Sequence, residues 1–223
     1  MTRLTAIAAL CLVLVAGGAY WLTAGSAKAP DLPFAANAQD ADVDTSSIVE
    51  MNLGNPDAPV TMIEYASFTC PHCADFHANQ FKQLKANYID SGKINFIHRD
   101  VYFDRFGLWA SMVARCGGKD RFFGIISMIY DQQKDWIGSG DAVGIAERLR
   151  KIGKVAGLSD EQIETCLADE EKATTLVSWF EQNAAADEVT STPTLFIDGV
   201  KHSNMNWDDL KKLIDEALAG HAD

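Results

Sequence analysis

The chain has 223 residues, 48% of them hydrophobic and 22% charged, an ordinary globular composition with length enough for a sizeable core. A formal net charge of −12 offers no basic excess for nucleic acid or acidic lipid, so nucleic-acid binding is excluded. One domain, or one domain carrying an insertion, is the organisation this length suggests.

At the start of the chain Arg3 precedes an uncharged apolar run from Thr5 to Leu22, followed by the small residues Ala24, Gly25, Ser26 and Ala27. That is the pattern of a secretory signal. Two fates stay open for residues 1–27: cleavage after Gly25-Ser26-Ala27, or retention as a membrane anchor, since the run is about long enough to span a bilayer and Tyr20-Trp21 suits an interface. Ala36-Asn37-Ala38 is a second cleavage sequence, farther from the apolar run. Cys11 is followed by more apolar residues, which argues against lipid modification. Either fate exports the remainder into an oxidising space. Residues 28–47, rich in Ala, Asp and Pro without an apolar period, read as a flexible linker.

Ile48 to Met51 reads as a short strand, and Gly54 to Pro59 as a turn into the apolar run that begins at Val60. That run, Val60-Thr-Met-Ile-Glu-Tyr-Ala-Ser-Phe-Thr-Cys70-Pro-His-Cys73, reads as a strand that ends in Cys-x-x-Cys. Beyond it Phe76, Phe81, Leu84 and Tyr88 recur as one face of a helix, which Ser91-Gly92 ends. The two cysteines therefore sit where a strand turns into a helix. Pro71 suits the first helical turn, because its missing N–H would have no partner there. Cys70 falls at the N-cap, with its sulfur toward the free N–H groups of His72 and Cys73 and the positive end of the helix dipole. His72 can add a hydrogen bond or a positive charge. A thiolate stabilised in this way leaves readily, so the disulfide tends to oxidise other thiols.

Ile94 to Arg99 is the next strand, and strand, helix and strand in this order give a parallel βαβ unit with a right-handed crossover. From Asp104 strand signals cease, and helices read over Arg105–Cys116, Asp120–Gln132, Asp141–Val155, Ser159–Ala168 and Glu170–Ala186. Ser159 and Gln162 form a capping box. Phe122, Phe123, Met128, Trp136 and Trp179 read as core rather than as a binding surface. Strands resume at Thr194–Ile197, Asp198-Gly199 is a hairpin turn into Val200–His202, and Asn206–Leu218 is a closing amphipathic helix.

With Cys11 set aside, four cysteines remain. Cys70 and Cys73 are joined by their own spacing, which leaves Cys116 with Cys166 as a structural bridge; two separate buried thiols are the alternative. Cys70 and Cys73 could instead form an inert disulfide or half of a zinc site with His72 or His77. A structural zinc usually wants a second short-spaced ligand pair, and the chain has none, so no metal and no cofactor are expected.

Glu64 to Cys73, the helical interruption, and Ser191-Thr-Pro-Thr-Leu-Phe-Ile-Asp-Gly199, about 120 residues beyond the cysteines, together closely resemble the DsbA family of exported thiol oxidases over roughly Ile48 to Leu218. The resemblance implies an α/β thioredoxin-like fold with an inserted all-helical domain. The thioredoxin-like parts would be residues 48–103 and 187–219, and the insertion residues 104–186. It also implies that the Thr192-Pro193 bond is cis and that these residues form the peptide-binding floor. Glu64 matches the family's acid beneath the redox pair. Buried in an apolar strand it should have a raised pKa and shuttle the proton of Cys73, unless its side chain reaches solvent. His77, His98, His202 and His221 match no family role and read as surface or packing residues.

The function implied is a periplasmic thiol:disulfide oxidoreductase acting, as a monomer, on reduced unfolded proteins and served by a membrane quinone-linked reoxidase. Cys70 would form the mixed disulfide and Cys73 would resolve it. A disulfide isomerase or reductase, and a peptide-binding chaperone module, are the competing readings.

Overall fold

The computed structural model describes residues 43–221. The apolar leader with its two alternative fates, Cys11, and linker residues 28–42 lie outside the described residues. Among the described residues no helix is long and apolar enough to cross a membrane.

Five strands form one sheet in the order β1-β3-β2-β4-β5: β1 (Met51–Gly54), β2 (Val60–Ala66), β3 (Ile94–Asp100), β4 (Thr194–Ile197) and β5 (Val200–Ser203). β2 and β3 are parallel, from Val60 opposite Ile94 to Ala66 opposite Asp100, and the other pairings are antiparallel. β2 therefore lies in the middle, and Val60, Met62, Glu64, Tyr65 and Ala66 are all fully buried. One face of β2, carrying Val60, Met62, Glu64 and Ala66, is wholly closed, while the other leaves Thr61 and Ile63 partly exposed and closes at Tyr65. Glu64 is its one charged side chain.

The first strand starts at Met51 and not at Ile48, a correction to the expected boundary. The Ile48 N–H donates back to the Thr45 carbonyl in a turn, and its side chain packs on Met112, Leu176 and Trp179, so Ile48 is held by helices instead of by a neighbouring strand. Gly54 is the last residue of β1 rather than the start of the turn. Its φ is +96°, and a Cβ there would meet the Ile94 carbonyl oxygen at 2.5 Å, so only glycine lets β1 approach β3. The hairpin joining β4 to β5 has positive φ at both central residues, 47° at Asp198 and 79° at Gly199, the geometry of a two-residue turn matched to strand twist.

Residues 71–89 make a continuous helical run, α1, in which α-helical Pro71–Phe76 and Lys82–Leu84 alternate with the wider π turns His77–Phe81 and Lys85–Ile89. Phe76 and Phe81 would lie about 140° apart on a regular α-helix. A π turn takes up the extra residue and returns both to the sheet side, where they pack with Leu84 and Tyr88 against Val60, Met62, Ile94 and Phe96. Each such side chain contributes about 2 kcal/mol on burial.

Between β3 and β4 the described residues hold six helices: α2 (Arg105–Cys116), α3 (Gly118–Asp131), α4 (Gln133–Ile137), α5 (Ala142–Val155), α6 (Asp160–Leu167) and α7 (Glu170–Ala186). α4 is the one the sequence pattern missed, because five residues are too few to show a period. Asp104, Asp141, Ser159 and Asp169 cap α2, α5, α6 and α7, with Ser159 and Gln162 forming the expected box. Cys116 and Cys166 are joined in a disulfide, 50 residues apart in sequence, which ties the end of α2 to α6. The closing helix, α8 (Trp207–Gly220), starts after the Asn206 cap.

Phe122, Ile125, Ile126 and Ile129 of α3, Trp136 of α4, Ile145, Leu149 and Ile152 of α5 and Ile163 of α6 form a second core, and Phe68, Cys70 and Cys73 belong to it. Trp179 is buried against Ile48, while Phe123 and Met128 are partly buried. The interrupted α/β arrangement expected from the resemblance is thus present, and the cysteine pair lies at the seam between the sheet and the helices.

Candidate active site

Cys70 is the N-cap of α1, in extended conformation (φ −84°, ψ 118°), with Pro71 in the first turn. The loop delivering it from β2 is pinned on two sides. Thr69 Oγ1 donates to Asp104 Oδ2 at 2.8 Å, and Asp104 is itself the cap of α2. Gln133 Nε2, from α4, donates to the carbonyls of Phe68 at 2.8 Å and Cys70 at 2.9 Å. Gln133 is buried; it satisfies the Phe68 carbonyl and adds a third donor to the Cys70 carbonyl, which also accepts from the N–H groups of Cys73 and Ala74. Sequence reasoning missed it, since a glutamine in an unrecognised five-residue helix carries no motif.

Cys70 and Cys73 are both free thiols. Cys70 is 8% exposed and Cys73 not at all. The Cys70 sulfur lies 3.6 Å from the Thr192 carbonyl oxygen, and the Thr192-Pro193 bond is cis. The structure thus brings Thr192 and Pro193, 122 residues away in sequence from the redox loop, up against Cys70.

The two thiols are driven in opposite directions. Hydrogen bonding from the Cys73 thiol does most to lower the Cys70 pKa, to about 5; burial opposes it, and the Thr192 side chain and the backbone N–H groups of Cys73 and His72 add smaller contributions. Burial raises the Cys73 pKa, and its hydrogen bond to Cys70 and the charge of Glu64 push it further. The expected weights change accordingly: Cys70 has no full capping bond to the helix, and its thiol neighbour matters more than the helix start. The His72 imidazole is exposed and makes no hydrogen bond among the described residues, so His72 acts through its backbone N–H.

Glu64 is fully buried, which removes the reading in which it reaches solvent. Its Oε2 accepts from His77 Nε2 at 2.9 Å and from His98 Nδ1 at 3.2 Å. Register places His98 directly opposite Glu64 across β2 and β3, and the π turn of α1 supplies His77. The raised pKa expected for Glu64 is corrected here. Burial alone would raise it, but the two imidazoles hold it down to about 2. Burial would likewise lower the pKa of His98, yet Asp100 and Glu64 lift it to about 9. Asp100 is held well below the usual carboxylate range against its burial, chiefly by Arg115, whose Nη2 and Nε donate to Oδ2 at 2.6 and 2.8 Å. His77 and His98 are accordingly parts of the site and not the surface or packing residues expected.

Glu64, His77 and His98 are also the one group among the described residues with clustered metal-ligating atoms, all within 4.8 Å of one another. The carboxylate oxygen is already bonded directly to both ring nitrogens, and a cation would have to displace both bonds in a space closed to solvent. The cluster fits a hydrogen-bonded charge network better than a metal site. His77 could have been flagged from its place four residues after Cys73, on the same side of the helix; His98 could not, because its pairing is set by strand register.

The thioredoxin family model matches residues 46–216. A Rickettsia bellii relative whose name describes a protein-disulfide oxidoreductase is 34% identical over 170 residues, 76% of this chain and 64% of that protein. The chain spans 61% of the similarly named Rickettsia prowazekii protein, so it covers under two thirds of these rickettsial relatives. It is 26% identical over 177 residues to disulfide bond formation protein D of Bacillus subtilis, covering 75% of this chain and 77% of that one. Among solved structures, alpha-DsbA1 of Wolbachia pipientis superposes with a TM-score of 0.71 at 28% identity, over 78% of this chain and 92% of that one.

Proposed function

The chain belongs to the thioredoxin family, in its DsbA-like form with inserted helices, and from that premise we propose that it is an exported oxidase donating its Cys70–Cys73 disulfide to reduced, unfolded protein substrates. The observation that carries the reading is the opposed chemistry of the two thiols: a Cys70 that keeps 8% of its surface open and has a pKa of about 5, over a sealed Cys73 whose pKa is raised.

A substrate thiolate forms a bond to the Cys70 sulfur, the Cys70–Cys73 bond breaks, and its electron pair stays on Cys73. A second substrate thiolate then attacks the substrate sulfur of the mixed disulfide, and Cys70 leaves as a stable thiolate. The substrate is oxidised by two electrons and the enzyme is left as the dithiol. Pro71 starts the helix, the His72 N–H supports the thiolate, and Thr192 and Pro193 flank the sulfur where a substrate backbone would lie.

Export to the periplasm is supported by the apolar leader in the sequence and by the Cys116–Cys166 disulfide, a bond that persists in oxidising compartments. Monomeric action and reoxidation by a membrane quinone-linked partner rest on the DsbA resemblance.

The test is refolding of ribonuclease. The oxidised protein should restore activity to fully reduced ribonuclease stoichiometrically, and Cys70→Ala should abolish this. Faster recovery from the scrambled than from the reduced form would make the protein an isomerase. Failure to oxidise reduced ribonuclease, with wild type and Cys70→Ala suppressing its aggregation equally, would make it a peptide-binding chaperone.

A further inference from the structure

When the disulfide opens, Cys73 is left as a thiolate in a space closed to bulk solvent, so its proton has to come from the groups packed around it. Glu64 alone cannot supply the proton, because two imidazoles hold it as the carboxylate. We propose that His98, acting through Glu64, supplies the proton that Cys73 takes up. The inference rests on the oxidoreductase reading and deepens it.

The groups facing one another come from five elements. β2 gives Glu64, β3 gives His98 and Asp100, α1 gives Cys73 and His77, α2 gives Arg115, and α3 gives Tyr130. His98 Nδ1 lies 3.2 Å from Glu64 Oε2, and its Nε2 lies 3.5 Å from Asp100 Oδ1. Arg115 fixes Asp100, so the imidazolium is held between two carboxylates, with one of them already matched. One proton on the histidines makes this buried set neutral. The charge of Glu64 reaches Cys73, and its second oxygen, Oε1, is buried without a partner, free to face an acceptor. Tyr130 stacks on His77 with ring centroids 4.1 Å apart, and its hydroxyl is also buried without a partner. Buried polar atoms are rarely left unpaired, and a cluster of them beside a redox pair suits groups that exchange a proton during the reaction.

As the electron pair of the broken disulfide settles on Cys73, the His98 Nδ1 proton passes to Glu64 Oε2. The Glu64 carboxyl delivers a proton to Cys73 and is again a carboxylate. His98 is left neutral and takes the proton back through Glu64 when Cys73 gives it up as the disulfide is re-formed. His98 and His77 are thus positioning residues: His98 holds the proton, and both fix the carboxylate that delivers it.

The experiment mixes the oxidised full chain with excess glutathione by stopped flow across pH, with each rate divided by the glutathione thiolate concentration. This quotient should be flat near neutrality and fall above about 9, where His98 loses its proton. His98→Gln should be about 100-fold slower at neutral pH, with the fall removed, the low end of what a positioned proton donor contributes. Unchanged rates and profile in a folded His98→Gln would overturn the relay while leaving the oxidoreductase reading intact; a wild-type disulfide inert to thiols would sink both. Nitrogen NMR of labelled histidine in the oxidised wild type reads the same point without a variant. A doubly protonated His98 ring at neutral pH is expected, and a neutral ring would refute the proposal.

Discussion

Acidification of the dithiol form should weaken it far more than the disulfide form, by an amount that follows from Cys70. Its pKa falls from 9.0 for an ordinary thiol to about 5 in the folded protein. A depressed pKa stabilises the fold fully above the unfolded value, and that stability is lost as pH falls through the folded one. At pH 7 the contribution is at most about two pH units, or about 2.7 kcal/mol before solvent screening at the rim of the site reduces it, and near pH 4 almost none is left. For a folded part of this size 1 kcal/mol moves the melting temperature by roughly 2–4 °C. The reduced form should therefore lose up to about 5–10 °C relative to the oxidised form between these two conditions. Taking the difference between redox forms removes the titration of Glu64 and Asp100, which both forms share. Calorimetry of each form across pH, with thiolate absorbance followed in parallel, provides the measurement. A difference that stays constant from pH 7 to 4, or a Cys70 that titrates near the ordinary thiol value of 9.0, would refute the reasoning.

Cys73→Ala should raise the Cys70 pKa more than His72→Pro does, since the first removes the largest stabilising contact and the second only one backbone N–H; thiolate titration of the two variants reads the order directly. Replacing Cys116 and Cys166 together by Ser should cost about 4 kcal/mol for a loop of 50 residues, measured by urea denaturation, and a loss near zero would remove the disulfide from the account of stability. Gln133→Ala should cost about 2 kcal/mol by leaving the buried Phe68 carbonyl without its donor and the Cys70 carbonyl with only its two helix N–H partners, and exchange of the loop amides should quicken.

Most of the fold is legible in the sequence because its signals are local. β4, α2 and α7 begin and end where apolar pattern and capping residues place them, and Ser159 marks the start of α6. The discrepancies arise where a distant contact decides. Ile48 has strand composition, yet Leu176 and Trp179, more than a hundred residues away, draw it onto the helices. The five-residue gap from Phe76 to Phe81 looks like a lapse in helical period and is instead a π turn, stabilised because both rings find the same sheet.

The site divides along the same line. Cys70, Pro71, Cys73 and the Thr192-Pro193 pair carry motifs, and their approach to one another is what those motifs suggest. Glu64 shows why the charge state of a buried group cannot be read from its own strand. Burial in an apolar run argues for a neutral carboxyl, and that argument holds for a carboxyl alone. It reverses once two imidazoles converge on one oxygen, because a carboxylate accepting two hydrogen bonds in a low dielectric is favoured over the acid. Strand register brings one imidazole and a π turn brings the other, and neither leaves a mark in the spacing around Glu64. The consequence for the chemistry is that the proton beneath Cys73 resides on His98, so the buried acid of this site is a pair of residues on adjacent strands and not Glu64 by itself.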